Sequence, residues 1–143
     1  METLATSRYF KGAFCHHRCL IPANGWYEWV KTCRGKQSHF LCREDRALLF
    51  LSGIWADYAG GSACCAIITE PARGIAKEIH DRMPLVLADD SLEAWLDPAL
   101  TERDAICSAV QHLEAEALSA WPVSARVNRP DQEGSGLIRP MSL

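Results

Sequence analysis

Asn24-Gly25-Trp26-Tyr27-Glu28-Trp29-Val30-Lys31, followed by Arg34-Gly35-Lys36 and then His39-Phe40-Leu41-Cys42, decides how the rest of the chain is read. Aromatic and β-branched residues bounded by Asn-Gly and Arg-Gly-Lys have the composition of strands joined by tight turns. Alternation puts Trp26, Glu28 and Val30 on one strand face and Tyr27, Trp29 and Lys31 on the other. Glu44-Asp45-Arg46 then reads as a turn into Ala47-Leu48-Leu49-Phe50-Leu51, too apolar for an exposed strand. Ala59-Gly60-Gly61-Ser62 leads into a second strand of buried character, Cys64-Cys65-Ala66-Ile67-Ile68-Thr69. The pattern from residue 18 onward is that of an antiparallel meander.

Helical signals follow. Pro71, with Ile75 and Ile79 four apart, predicts a helix over 71–79. Asp90 with Glu93 three later resembles a capping box and opens a short helix through Trp95 and Leu96. Thr101 and Asp104 start a longer helix with Ile106, Val110, Leu113 and Ala117 as its core stripe. Leu118 to Val127, with Pro122 inside it, reads as an edge strand or extended segment. The class is α+β, a β-rich mixed or antiparallel sheet with a few short helices, in one domain spanning 1–143.

The 143 residues suit one domain, and 48% hydrophobic with 23% charged residues is ordinary soluble composition. Disordered, collagenous and low-complexity classes are thereby excluded. No apolar run reaches the roughly 18 residues of a membrane span, and METLATSRYFKG has no signal-peptide core. The expectation is a cytoplasmic protein without membrane contact. Seven cysteines, at 15, 19, 33, 42, 64, 65 and 107, include no C-x-x-C pair, so they are expected to be reduced and mostly buried. The net charge of −3 is uneven: residues 1–43 hold seven basic against two acidic side chains, and the remainder eight against sixteen. A basic first third fits either an anionic partner such as nucleic acid or solvated hairpin turns.

Three sites could carry chemistry. Glu28, flanked by tryptophans, is either a carboxyl with a raised pKa suited to acid–base work or a surface group paired with a lysine across the hairpin. His80, in Ile79-His80-Asp81-Arg82-Met83-Pro84, is either a helix C-cap or a proton carrier, and Pro84 forces the chain to turn there. Cys15, His16, His17 and Cys19 invite a zinc reading, although their spacing fits no closed zinc site. Cys64 and Cys65 point to opposite faces of a strand and make no redox pair. Neither a phosphate loop nor a nucleophile elbow occurs.

Taken together, several stretches resemble the SOS-response-associated peptidase (SRAP) family, which senses abasic sites in single-stranded DNA. They are Glu2-Thr3 with Ser7-Arg8-x-Phe10, Arg18-Cys19-Leu20-Ile21-Pro22-Ala23-Asn24-Gly25-Trp26-Tyr27-Glu28-Trp29, and Phe50-Leu51-Ser52-Gly53-Ile54-Trp55. Ile67-Ile68-Thr69, Ile79-His80-Asp81-Arg82-Met83-Pro84, Trp121-Pro122-Val123-Ser124 and Val127-Asn128 complete the set. The resemblance implies a thiazolidine crosslink formed when an N-terminal cysteine, exposed by removal of the initiator Met, condenses with the ring-opened aldehyde. It also implies the hydrolase or protease activity of the family's name, as self-processing, together with a lyase-like activity on DNA. It implies Glu28 and His80 as proton carriers, Arg8 and Arg82 as phosphate contacts, Trp29 as a stacking surface, and Thr69 beside the pocket. No metal and no cofactor are implied. The partner is single-stranded DNA carrying abasic sites, met in the damage response and at the nucleoid of a bacterium.

Family members begin Met-Cys-Gly-Arg and carry Asn-Ala-Arg just before Glu-Thr, whereas this sequence starts Met1-Glu2-Thr3. The expectations are therefore an N-terminally truncated domain with its first strands missing, no crosslinking by these 143 residues alone, and self-association through exposed sheet edges. Two alternatives stand beside that reading: a non-catalytic single-stranded DNA-binding remnant, and a small zinc protein using Cys15, His16, His17 and Cys19.

Overall fold

A computed structural model describes residues 10–33, 35–58 and 60–141. The protein is β-rich and antiparallel with a few short helices, as its sequence predicts. Its elements are α1 (Lys11–His16), β1 (Arg18–Ala23), β2 (Trp26–Thr32), β3 (Gly35–Arg43), β4 (Leu49–Tyr58), β5 (Ser62–Ile67), β6 (Thr69–Pro71), β7 (Arg82–Pro84), α2 (Leu92–Leu96), α3 (Arg103–Ala109) and β8 (Leu118–Pro122). No helix among the described residues is long and apolar enough to cross a membrane. The chain divides into two compact units. One comprises the stretch ending at Ala23, Leu49–Glu70 and Pro84–Glu114; the other comprises Asn24–Leu48, Pro71–Met83 and the chain from Ala115 onward.

The first unit is built on the antiparallel sheet β1-β4-β5. Phe14, Ile54, Ile68, Leu85, Leu87, Trp95, Ile106 and Val110 form its core. Trp95 is fully buried, meets Phe14 edge to face at 5.9 Å, and donates its indole N–H to the Cys19 carbonyl at 2.9 Å. Around it Arg18 gathers carbonyl ends. Its Nε donates to Trp95 O at 2.7 Å, its Nη1 to Phe14 O and Cys15 O, and its Nη2 to Asp97 O and Leu100 O. The last carbonyls of α1 and α2 have no partner within their own helices, and one planar guanidinium supplies donors to both. Arg18 thus belongs to the core scaffold and not to a basic face. Glu70, almost fully buried, meets His112 Nδ1 at 2.7 Å.

The second unit is built on the antiparallel sheet β2-β3-β8. Paired residues share a face, so Glu28, His39 and Pro122 lie on one side, while Tyr27, Phe40 and Trp121 lie on the other. Phe40, Cys42 and Val123 are buried on that second side with Tyr27, Trp121 and Val127 against them. Phe40 contacts Tyr27 and Trp121 at centroid separations of 5.3 and 5.4 Å, and Arg46 lies over the Trp121 ring at 4.4 Å.

Several expectations need correction. Asn24-Gly25 closes no hairpin, because β1 and β2 join different sheets. Gly25 is required for close approach instead: a Cβ there would sit 2.2 Å from the Leu41 carbonyl oxygen. Over 71–79 there is no α-helix; Pro71 ends β6, Gly74 turns with φ +51°, and only a 3-10 turn over Gly74–Glu78 follows. The long helix is the seven-residue α3. Beyond it Val110 is extended and His112 bridges to Leu87, although Ile106, Val110 and Leu113 are buried as their spacing suggested. The stripe marked core positions, and sheet pairing overrode the helical period. Asp90 makes no helix-capping hydrogen bond.

The strand Cys64–Ile67 is exposed throughout instead of buried. It is the outer strand of its sheet, and Phe10 and Ala13 share a shallow cavity with Cys64, Cys65 and Ala66. Cysteine burial is correspondingly mixed: Cys15 and Cys42 are buried, Cys19 and Cys107 half-buried, and Cys33, Cys64 and Cys65 exposed, all as free thiols.

Candidate functional site

The second unit brings Glu28 and the His80-Asp81-Arg82 segment together. Glu28 is central in β2, and the register places His39 opposite it; Lys31 faces Lys36. The lysine partner of the alternative reading is therefore not across from Glu28. Burial is the main influence on this carboxyl and pushes its pKa above the ordinary glutamate value. The nearby His80 and the Trp29 backbone N–H pull it down, and Asp81 pushes it up again. A half-buried carboxyl shifted toward its protonated form by burial, with an imidazole close enough to influence it, has the make-up of an acid–base group.

His80 follows the 3-10 turn Gly74–Glu78, and its backbone N–H closes that turn on Ala76 O at 3.0 Å. His80 Nδ1 lies 3.1 Å from the Arg82 backbone nitrogen and 3.2 Å from the Arg82 carbonyl oxygen, so it can accept from the first or, when protonated, donate to the second. Asp81 Oδ1 is 3.1 Å from the same Nδ1 and becomes its acceptor when the ring is charged. The segment is anchored by Ala72 N–H to Asp81 O at 2.9 Å. Arg82 opens β7 and is exposed.

Trp29 lies on the opposite sheet face from Glu28, 36% exposed, with its indole N–H on Asn128 Oδ1 at 2.7 Å. Thr69 begins β6 in the first unit and is exposed. Arg8 lies outside the described residues. His39 was missed by sequence reasoning although the signal was available: pairing Thr32 with Gly35 and counting back four places sets it across from Glu28. Its Nδ1 is 3.3 Å from Gln37 O.

The zinc alternative finds no geometry. Cys15 is buried in α1, His17 stacks on Trp55 at 4.3 Å, and no three His, Cys, Asp or Glu side chains among the described residues gather as metal ligands.

Glu28 on the small antiparallel sheet and His80 in the segment before β7 thus come close enough within the second unit to influence one another. The chain belongs to the SRAP (SOS response associated peptidase) family, whose model matches residues 1–130. It is similar to the abasic site processing protein YedK of Escherichia coli, 34% identical over 99% of this chain and 65% of that protein. YoaM of Bacillus subtilis, also named an abasic site processing protein, is 32% identical over 96% of this chain and 63% of its own length. The chain thus spans slightly less than two thirds of these relatives. A solved protein from Bacteroides thetaiotaomicron has the same fold, with a TM-score of 0.83 at 20% identity, over 99% of this chain and 64% of that one.

Proposed function

We propose that this protein acts on abasic sites in single-stranded DNA, with Glu28 and His80 moving the protons that open the deoxyribose ring. The observation that carries the reading is the raised pKa of Glu28 beside His80, in a chain of the SRAP family whose named relatives process abasic sites. Opening the closed sugar takes a proton from the C1′ hydroxyl and delivers one to O4′ as the C1′–O4′ bond breaks, leaving an aldehyde. The Glu28 carboxylate accepts the first proton, and His80 in its imidazolium form, with Nδ1–H on Asp81 Oδ1, supplies the second from Nε2 and is left neutral. Arg82 and Arg8 contact flanking phosphates, Thr69 the lesion nucleotide, and Trp29 a neighbouring base.

The test incubates the protein with a single strand containing one abasic site. A protein-dependent acceleration of aldehyde labelling by an aminooxy probe is expected. Unaccelerated labelling overturns the ring-opening role. Binding is expected to weaken steeply between about 50 and 200 mM salt as phosphate contacts displace counterions; salt-insensitive binding contradicts the arginine assignments.

Self-association through β5 belongs to the same proposal. The strand carries Ala63, Cys64, Cys65, Ala66 and Ile67 exposed and uncharged on the outer edge of its sheet, the profile of a strand open to edge pairing. Sedimentation under reducing conditions is expected to show dimers or larger species, and Cys65→Lys to shift them to monomer. A parent that is monomeric at every concentration contradicts the expectation.

A further inference from the structure

The segment Trp121-Pro122-Val123-Ser124 with Val127-Asn128 is one of the stretches of family resemblance, yet the acid–base site does not use it. Its geometry shows a distinct task. Ser124 Oγ accepts from the Arg126 N–H and the Val127 N–H bonds to Ser124 O, winding Ala125–Asn128 into one 3-10 turn. The turn ends by presenting Asn128 Oδ1 to the Trp29 indole N–H at 2.7 Å. Two residues earlier, Arg126 is held by two bonds to the Gln132 amide oxygen at 2.9 and 2.7 Å. A neutral partner fixes the guanidinium while leaving its positive charge uncompensated by that contact.

From this geometry we infer that Asn128 is a positioning residue, locking Trp29 as the platform on which a nucleobase beside the lesion stacks. The inference rests on the DNA-binding reading above and adds the path of the strand. Glu28 and Trp29 are consecutive on β2 and face opposite sides of the sheet. Because β2 is the outer strand, DNA that presents its lesion to Glu28 crosses the β2 edge to lay the next base on Trp29. An exposed indole free to rotate would lose side-chain entropy on stacking, and a hydrogen bond made beforehand removes that cost.

The experiment is a double-mutant cycle on a fluorescein-labelled oligo(dT) strand with one central abasic site, using Trp29→Phe, Asn128→Ala and the double variant. Phe keeps an aromatic face but has no N–H for Asn128. Asn128→Ala is expected to weaken binding about fivefold, a part of the stacking contribution of one base. In the Trp29→Phe background the same substitution is expected to change nothing. The indole N–H resonance of Trp29, followed without DNA, is expected to move and to exchange faster with water in Asn128→Ala. Equal binding by Asn128→Ala and parent overturns the inference, as does an equal loss in both backgrounds, which marks a general structural role. Trp29→Ala binding as tightly as the parent removes the stacking platform and this inference with it, while the Glu28 chemistry stands. Failure of the parent itself to bind the strand sinks the DNA-binding reading as a whole.

Discussion

Glu28→Gln is expected to slow the opening of abasic sites at least about 100-fold, the lower range for removing a positioned acid–base group, while making the fold more stable at neutral pH. The two effects have one cause. Burial holds the Glu28 pKa above its unfolded value, which lies near 4.3. A carboxyl raised on folding contributes stability that is fully present below the unfolded pKa and is lost as pH rises through the folded one. Above that window the carboxylate is charged in an environment that disfavours it, and the amide variant escapes the penalty. Gln keeps the side chain's length and an oxygen for the Trp29 N–H, so packing is preserved. Chemical denaturation is therefore expected to give matching stabilities for parent and variant near pH 4 and a more stable variant at pH 7. Aminooxy labelling of abasic DNA measures the rate. A variant as active as the parent excludes Glu28 from the chemistry, and one less stable at pH 7 than at pH 4 relative to the parent contradicts the burial argument.

The local elements near this carboxyl were legible before any coordinates. The aromatic alternation of 26–30 and the apolar run 39–42 both became strands, and their pairing makes the hairpin that carries Glu28. Leu118–Pro122 became the outer strand expected of a segment containing proline. What failed was whatever depended on distant partners. Ile106, Val110 and Leu113 have helical spacing and are buried, but the backbone after α3 follows the bonds Leu113 N–H to Val86 O and Ala88 N–H to Gln111 O. Hydrophobic spacing reports which side chains are inside, not which hydrogen bonds the backbone makes. Cys64-Cys65-Ala66-Ile67 failed for a related reason: its composition is that of a covered strand, and burial depends on what packs over it. The link between Trp29 and Asn128 spans 99 positions and leaves no periodic trace. Recognising the family identified both ends of that link without showing that they meet.

Arg18→Ala is expected to be among the most destabilising single substitutions in the first unit, by about 3 kcal/mol, or roughly 6–12 °C in melting temperature. Charge alone does not account for this. The guanidinium donates to five carbonyls from three chain segments, and its carbon lies 5.6 Å from the centroid of the buried Trp95 ring. Alanine leaves Trp95 O and Cys15 O, accepted at 2.7 Å each, without their donors at partly buried helix ends. Water can reach the exposed bond to Asp97 O, which holds the estimate well below five charged hydrogen bonds in sum. Burial lowers the pKa of Arg18 while Cys15 and Asp97 raise it, so the environment opposes the charge before these contacts support it. Arg18→Lys is expected to recover less than half of the loss, because a single ammonium cannot span carbonyls at the ends of both α1 and α2. Thermal unfolding of the two variants decides it. Full recovery by lysine would mean that charge, not the planar fork, joins the helix ends, and an alanine variant melting with the parent would mean that Trp95 and its neighbours hold the unit without Arg18.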